Sequence, residues 1–417
     1  MVNCRLIDGT GRAPVENGVV VVRGRLIAGV GSASEVEVPD EAEVIDARGM
    51  TVMPGLIDAH LHVLGMKTAD LVREPLVTPI GVFFARAVES LRRLVDAGFT
   101  TVRDAGGIVG LHLKYAVEEG SIVGPRIVAA GLPLSQTFGH GDQHFLPVEW
   151  VDARSTRKLV PLATLICDGV DECRKAARYA LREGADFIKI FTTGGVLSQR
   201  DRPEYVQFTP EEIRAVVEEA RHVGTFVASH AQGERGIKNA LEAGVKTIEH
   251  AIYIDDEGVE LAKARGAVLV PTLAIVERIL ERGAEAGVPE WGLRKSEEVY
   301  EVHVRNIRRA ARAGVKLATG TDFFGGVISG FGDNAVELQL FVEKLGLTPM
   351  EAIVAATRNA AEAAGLERKT GTLEEGKLAD LIIVDGNPLA DVKLLRDPRN
   401  VKLVMKEGRV LKDAMRE

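Results

Sequence analysis

The chain has 417 residues, 46% of them hydrophobic and 27% charged, a balance that supports a large packed core and excludes a disordered or fibrous protein. Its net charge of −8 comes from interspersed acids and bases, so no nucleic-acid-binding surface is expected. Three cysteines (Cys4, Cys167, Cys173) without metal-finger spacing, no export-type start and no apolar run near the roughly 20 residues that span a bilayer predict a cytoplasmic protein outside membranes.

Residues 1–53 alternate apolar and polar positions between glycine turns, as in Val19-Val20-Val21-Val22-Arg23-Gly24-Arg25-Leu26-Ile27, and predict short antiparallel strands. Beyond them, short apolar runs alternate with amphipathic stretches, the pattern of parallel strands joined by crossover helices. Eight strands are predicted, near Gly55–Leu61, Thr100–Asp104, Arg126–Ala130, Phe187–Phe191, Phe226–His230, Thr247–His250, Val268–Thr272 and Lys316–Thr321. Eight is the number that closes a TIM barrel. Thr209-Pro210-Glu211-Glu212 and Thr348-Pro349-Met350-Glu351 each put Thr at an N-cap, Pro in the first turn and Glu three residues on, a capping box that predicts a helix start. Strand texture returns after Gly371, in Ala379–Val384 and Val401–Met405, with Glu407-Gly408 as a tight turn. The expected architecture is α/β: a TIM (β/α)8 barrel over residues 54–366, and a small β-sandwich built from both termini, residues 1–53 and 367–417.

Barrels carry their chemistry at the C-terminal ends of the strands. His60 and His62 end the first strand, Lys189 lies in the fourth, His230 ends the fifth, His250 ends the sixth and Asp322 follows the eighth. Residues two apart on a strand share a face, so His60 and His62 can both point into the barrel mouth. Neutral imidazoles and a carboxylate suit zinc or a similar first-row metal. Taken singly, each has a plain structural reading: a strand histidine hydrogen-bonded in the core, or a buried lysine paired with an acid. Six metal-compatible groups at the ends of five strands favour the metal reading. His112, His222 and His303 fall in predicted helices on the barrel exterior and are assigned no chemistry; His144 is left unassigned.

The runs Met53-Pro54-Gly55-Leu56-Ile57-Asp58-Ala59-His60-Leu61-His62, Lys189 with Thr193-Gly194-Gly195, Ser229-His230-Ala231, Ile248-Glu249-His250, Thr319-Gly320-Thr321-Asp322 and Ala379-Asp380-Leu381 resemble the amidohydrolase superfamily, in particular its prolidase-like branch of Xaa-Pro dipeptidases and carboxypeptidases acting before Arg or Lys. The resemblance implies two divalent ions, zinc by default: His60, His62 and Asp322 on the first, His230 and His250 on the second, and Lys189 bridging them. An ammonium cannot ligate a cation, so the bridge implied is a lysine carboxylated by carbon dioxide. The resemblance also implies that Asp322 acts as acid and base on a water shared by the ions, that His140 contacts substrate and helps polarise its carbonyl, and that Tyr205 contacts a substrate carboxylate. Arg200 and Arg202 in the Tyr205 loop are further candidates for that carboxylate. The implied reaction is amide hydrolysis of dipeptides or N-acyl amino acids, by a homo-oligomer with no nucleic-acid or membrane partner.

Other readings stand beside it. Cyclic-amide hydrolases of the imidazolonepropionase or hydantoinase type share the scaffold, and an esterase, lactonase or carbamate hydrolase needs the same activated water. A barrel aldolase with Lys189 as a Schiff-base nucleophile fits poorly among four ligand-type histidines. A non-catalytic barrel would show a broken ligand set, and every position is filled.

Overall fold

The computed structural model describes residues 1–156 and 160–415. Eight parallel strands form the barrel: β1 (Leu56–Met66), β2 (Phe99–Asp104), β3 (Arg126–Ala129), β4 (Ile188–Phe191), β5 (Val227–Ala231), β6 (Thr247–His250), β7 (Val268–Val270) and β8 (Lys316–Leu317). β1 to β3 pair in sequence, as do β4 to β8. Two seams close the ring. Ala59 N donates to Thr319 O at 2.9 Å between β1 and the end of β8, and Asp186 N donates to Ala129 O at 2.8 Å between β3 and β4. The short strand Leu134–Ser135 continues the second seam by pairing Leu134 with Ile190. Helices cover the outside, and both expected capping boxes are present, at Thr209 with Glu212 and at Thr348 with Glu351. Among the described residues no helix is long and apolar enough to cross a membrane.

Strands from both termini interleave in one seven-stranded sheet, in the order Arg409–Asp413, Val401–Lys406, Leu381–Val384, Thr51–Pro54, Cys4–Leu6, Val15–Arg23, Leu26–Ser32. The last strand folds back to bond the segment preceding Leu381, with Ile27 N on Lys377 O and Ala379 N on Arg25 O. The sheet thus wraps a core of its own, including Cys4, Leu6, Val20, Ile27, Leu381 and Leu403. The chain steps from this sheet into β1 at Gly55, where a Cβ would stand 2.2 Å from Thr100 Oγ1, so only glycine passes.

The eighth strand is shorter than the expected Lys316–Thr321. Past Leu317 the chain bends so that the amides of Thr321 and Asp322 both donate to His60 O, and Asp322 takes a left-handed φ of 57°. That bend moves the Asp322 side chain from the strand line to the two histidines of β1.

Candidate metal centre

β1 delivers His60 and His62 with ring centroids 5.6 Å apart. Asp322 Oδ1 lies 3.4 Å from His60 Nε2 and 3.3 Å from His62 Nε2, and all three ligand-type atoms fall within 4.8 Å of one another. Burial raises the Asp322 pKa, but His60 and His62 outweigh it and hold the carboxyl well below its usual range. The other nitrogens of both rings are engaged from behind: His60 Nδ1 by Glu249 Oε2 at 2.6 Å, His62 Nδ1 by the Gly106 carbonyl at 2.9 Å. Nε2 of each ring is thereby left for the mouth.

Glu249 anchors this half to the barrel interior. Its Oε2 also accepts from Arg103 at 2.6 Å, and the guanidinium of Arg103 further donates to Thr247 Oγ1 and to the carbonyls of Ala59 and Ala363. Burial works against the Glu249 anion, yet Arg103 and His60 hold its pKa well below the ordinary carboxylate value. Neither Arg103 nor Glu249 was singled out from sequence. The available signal was a charged residue inside each of two apolar barrel strands, which demands a buried partner.

Across the mouth, His230 and His250 lie 4.6 Å apart by ring centroids, and His250 is 5.1 Å from His60. Burial depresses the pKa of both far below 6.5, so both rings are neutral and have lone pairs to offer. His250 Nδ1 meets Thr272 Oγ1 at 2.7 Å, and His230 Nε2 meets the Gly194 carbonyl at 3.1 Å. Thr247 and Glu249 face the barrel interior, so strand alternation alone would turn His250 outward. Left-handed backbone at His250 (φ 71°) and Ala251 (φ 53°) brings the ring back into the mouth. Lys189 stands beside them, 2% exposed, and its Nζ makes no hydrogen bond or ion pair among the described residues. Burial lowers its pKa to about 8.

These six residues and His140 line one cavity of about 220 Å³. Its outer wall is apolar, with Leu71, Leu162, Leu197, Ile275, Ile279 and Trp291. The structure does not bring Tyr205 into that wall: its side chain is 45% exposed, while its backbone bonds Gly194. Arg200 lies over the rings of Phe138 and Phe145, and Arg202 is exposed. His112 stacks on Phe84, and His222 is an exposed helix residue. His303 corrects the exterior assignment: it is wholly buried, lines the cavity and bonds the His250 carbonyl at 2.8 Å. The long helix Glu290–Arg312 turns this face inward under the β6–β7 end of the barrel. His144 lies on Phe138 at the cavity wall.

Residues 51–411 match the amidohydrolase family. Ochratoxinase from Aspergillus niger is 37% identical over 98% of this chain and 85% of its own length. An imidazolonepropionase from Geobacillus sp. (strain WCH70) is 27% identical over 95% of this chain and 90% of its own. The crystal structure of a prolidase complexed with N-methylphosphonate-L-proline superposes with a TM-score of 0.90 at 35% identity, covering 99% of this chain and 98% of that one. Members of this family generally bind divalent metals. The chain belongs to the amidohydrolase family, in its prolidase-like branch, and is a hydrolase of carbon–nitrogen bonds.

Proposed function

We propose that this chain is a two-metal hydrolase that cleaves the amide bond of N-acyl amino acids or dipeptides. The observation that carries the reading is the convergence of His60, His62 and Asp322 on one side of the mouth with His230 and His250 on the other, around a buried lysine whose Nζ has no hydrogen bond or ion pair among the described residues. The donors fit divalent zinc: the His230 and His250 rings are neutral, Asp322 is anionic, and ring nitrogens are held from behind by Glu249, Gly106 and Thr272. His60, His62 and Asp322 would hold one ion, and His230 and His250 the other. Lys189, with a pKa near 8, is in part a free amine at neutral pH, and carboxylation by carbon dioxide would make it the anionic bridge. The bound ions would supply a water acidified toward neutral pH and a Lewis acid for the scissile carbonyl.

The protein's own groups do the rest. Asp322 orients the attacking water, takes its proton on a carboxylate oxygen, and returns that proton to the leaving nitrogen as the carbon–nitrogen bond breaks. His140 reaches the substrate from the cavity wall. Lys189 is the only lysine or arginine among the described lining residues, so the apolar wall favours an uncharged, hydrophobic acyl or side-chain group. That agrees with relatives named ochratoxinase and prolidase. Tyr205 remains a candidate contact for the substrate carboxylate, provided its loop turns inward. The cytoplasm is the proposed location.

The test is elemental analysis of chain purified without chelators, native and Lys189→Ala, followed by a panel of Xaa-Pro dipeptides, N-acyl amino acids and ochratoxin. Near two equivalents of metal, falling sharply in the variant, with turnover on the panel, supports the reading. A second reading rests on the fact that among the described residues no carboxylate hydrogen-bonds His230 or His250: a single-metal cyclic-amide hydrolase. One equivalent unaffected by Lys189→Ala would replace the first reading with the second.

A further inference from the structure

His140 is fixed on several sides, mostly by the loop that follows β4. Its ring stacks on His230 with 4.1 Å between centroids and 21° between planes. Gly195 lies so close that a Cβ there would stand 2.4 Å from Cε1 of the ring. Nδ1 lies 3.0 Å from Ser198 Oγ and 3.1 Å from Oδ2 of the wholly buried Asp201. From outside, Lys295 of the helix Glu290–Arg312 staples the same loop. Its Nζ donates to the carbonyls of Gly195 at 3.1 Å, Ser198 at 2.6 Å and Asp201 at 2.6 Å.

Both partners of Nδ1 require it to be a donor. An ionised carboxylate only accepts. Burial pushes the Asp201 pKa up, but His140 and Lys295 outweigh it and keep the carboxyl below its ordinary value, hence an anion. The Ser198 hydroxyl has one proton, directed to Asp201 Oδ1 or Gly195 O, so it meets the ring with lone pairs. Nδ1 therefore carries hydrogen. The ring nitrogen without a protein hydrogen bond among the described residues is Nε2, on a residue that lines the cavity.

We propose that Asp201 is a positioning residue that holds His140 with its proton on Nδ1 and presents Nε2 to the substrate. The inference rests on the substrate contact of His140 in the proposed function. With the ring neutral, Nε2 accepts a hydrogen bond from a substrate or leaving-group N–H; with the ring charged, it donates to the carbonyl oxygen while Asp201 balances the charge. In both states Nε2 is the working atom. Asp201 acts only through His140.

The test uses the full metal-loaded chain labelled with 15N-histidine, and N-benzoyl-L-phenylalanine as the reference probe within the substrate panel. Native His140 is expected to show its proton on Nδ1, whereas Asp201→Asn shows a mixture of tautomers with unchanged metal content. On the best-cleaved panel member, Asp201→Asn lowers kcat by about tenfold or more, and adds little further loss in the His140→Ala background. Gly195→Ala, which displaces the ring from its other side and leaves Asp201 intact, gives a similar loss of kcat. A native proton on Nε2, or an equal loss from Asp201→Asn with and without His140, overturns the proposal. Metal below two equivalents in the native chain sinks the two-metal reading instead, and the tautomer result still decides the role of Asp201.

Discussion

The two halves of the mouth are held in unlike ways. On the β1 side, His60, His62 and Asp322 stand within reach of one another with a carboxylate in the set, and Glu249 braces His60 from the barrel interior. On the β5–β6 side, His230 and His250 are neutral, their anchors are a carbonyl and a hydroxyl, and among the described residues no carboxylate hydrogen-bonds either ring, Asp322 and Glu249 acting on His250 only through their charge. On the proposed two-metal reading, a cation entering the first half meets the Asp322 carboxylate beside its histidines, whereas the second half gains an anion of its own only if Lys189 is carboxylated. On that reading the two sites are expected to fill in order, with Lys189 governing the second.

The strongest way to break this picture is Asp322→Asn, which removes both the anion of the first half and the acid–base group. Turnover on the panel is expected to fall by about a thousandfold, within the range for losing general acid–base help. Lys189→Ala is expected to take metal from about two equivalents to about one, the first half keeping its ion; loss of both ions would show that the halves are not independent. Glu249→Gln sharpens the comparison by leaving His60 poorly braced and Arg103 without its buried counter-ion. Calorimetric titration with zinc should show affinity at the first site lower by about 10- to 100-fold, and thermal unfolding should show a stability loss of about 3 kcal/mol. Thr272→Val removes only the hydroxyl behind His250, so the expected loss is about tenfold and confined to the second ion.

A separate effect concerns the metal-free chain. The folded protein releases the Lys189 proton near pH 8, from a usual 10.5, so between those values the unfolded chain holds more protons. Metal-free stability therefore rises with pH across that window, by up to about 3 kcal/mol from this residue. Denaturant unfolding of Lys189→Met should show the rise reduced by that amount.

Much of this was legible in the amino-acid string. Strand spacing, the two Thr-Pro-x-Glu helix starts and the returning strand texture after Gly371 are local signals of periodicity and capping, and local signals survive into the fold. The positions of His60, His62, Lys189, His230, His250 and Asp322 follow from the rule that barrel strands end at the mouth. What lay beyond reach were orientations. His250 faces the mouth through a left-handed residue that strand alternation does not foresee, and His303 is buried because its helix packs on the strand ends. The Asp201 clamp on His140 and the stapling by Lys295 join residues far apart in the chain, and the exposure of Tyr205 in this structure is likewise set by the fold of its loop and not by local pattern.

By itself, then, the sequence determined the barrel, the shared terminal sheet and the six residues that can gather at the mouth, because each is encoded by short-range pattern and residue type. Only the tertiary structure decided which nitrogen of each ring faces inward, which half of the mouth holds a carboxylate against its rings, and that Lys189 is buried with no hydrogen bond or ion pair among the described residues. Those depend on buried hydrogen bonds between strands and loops distant in sequence, and burial gives such pairings their directing strength.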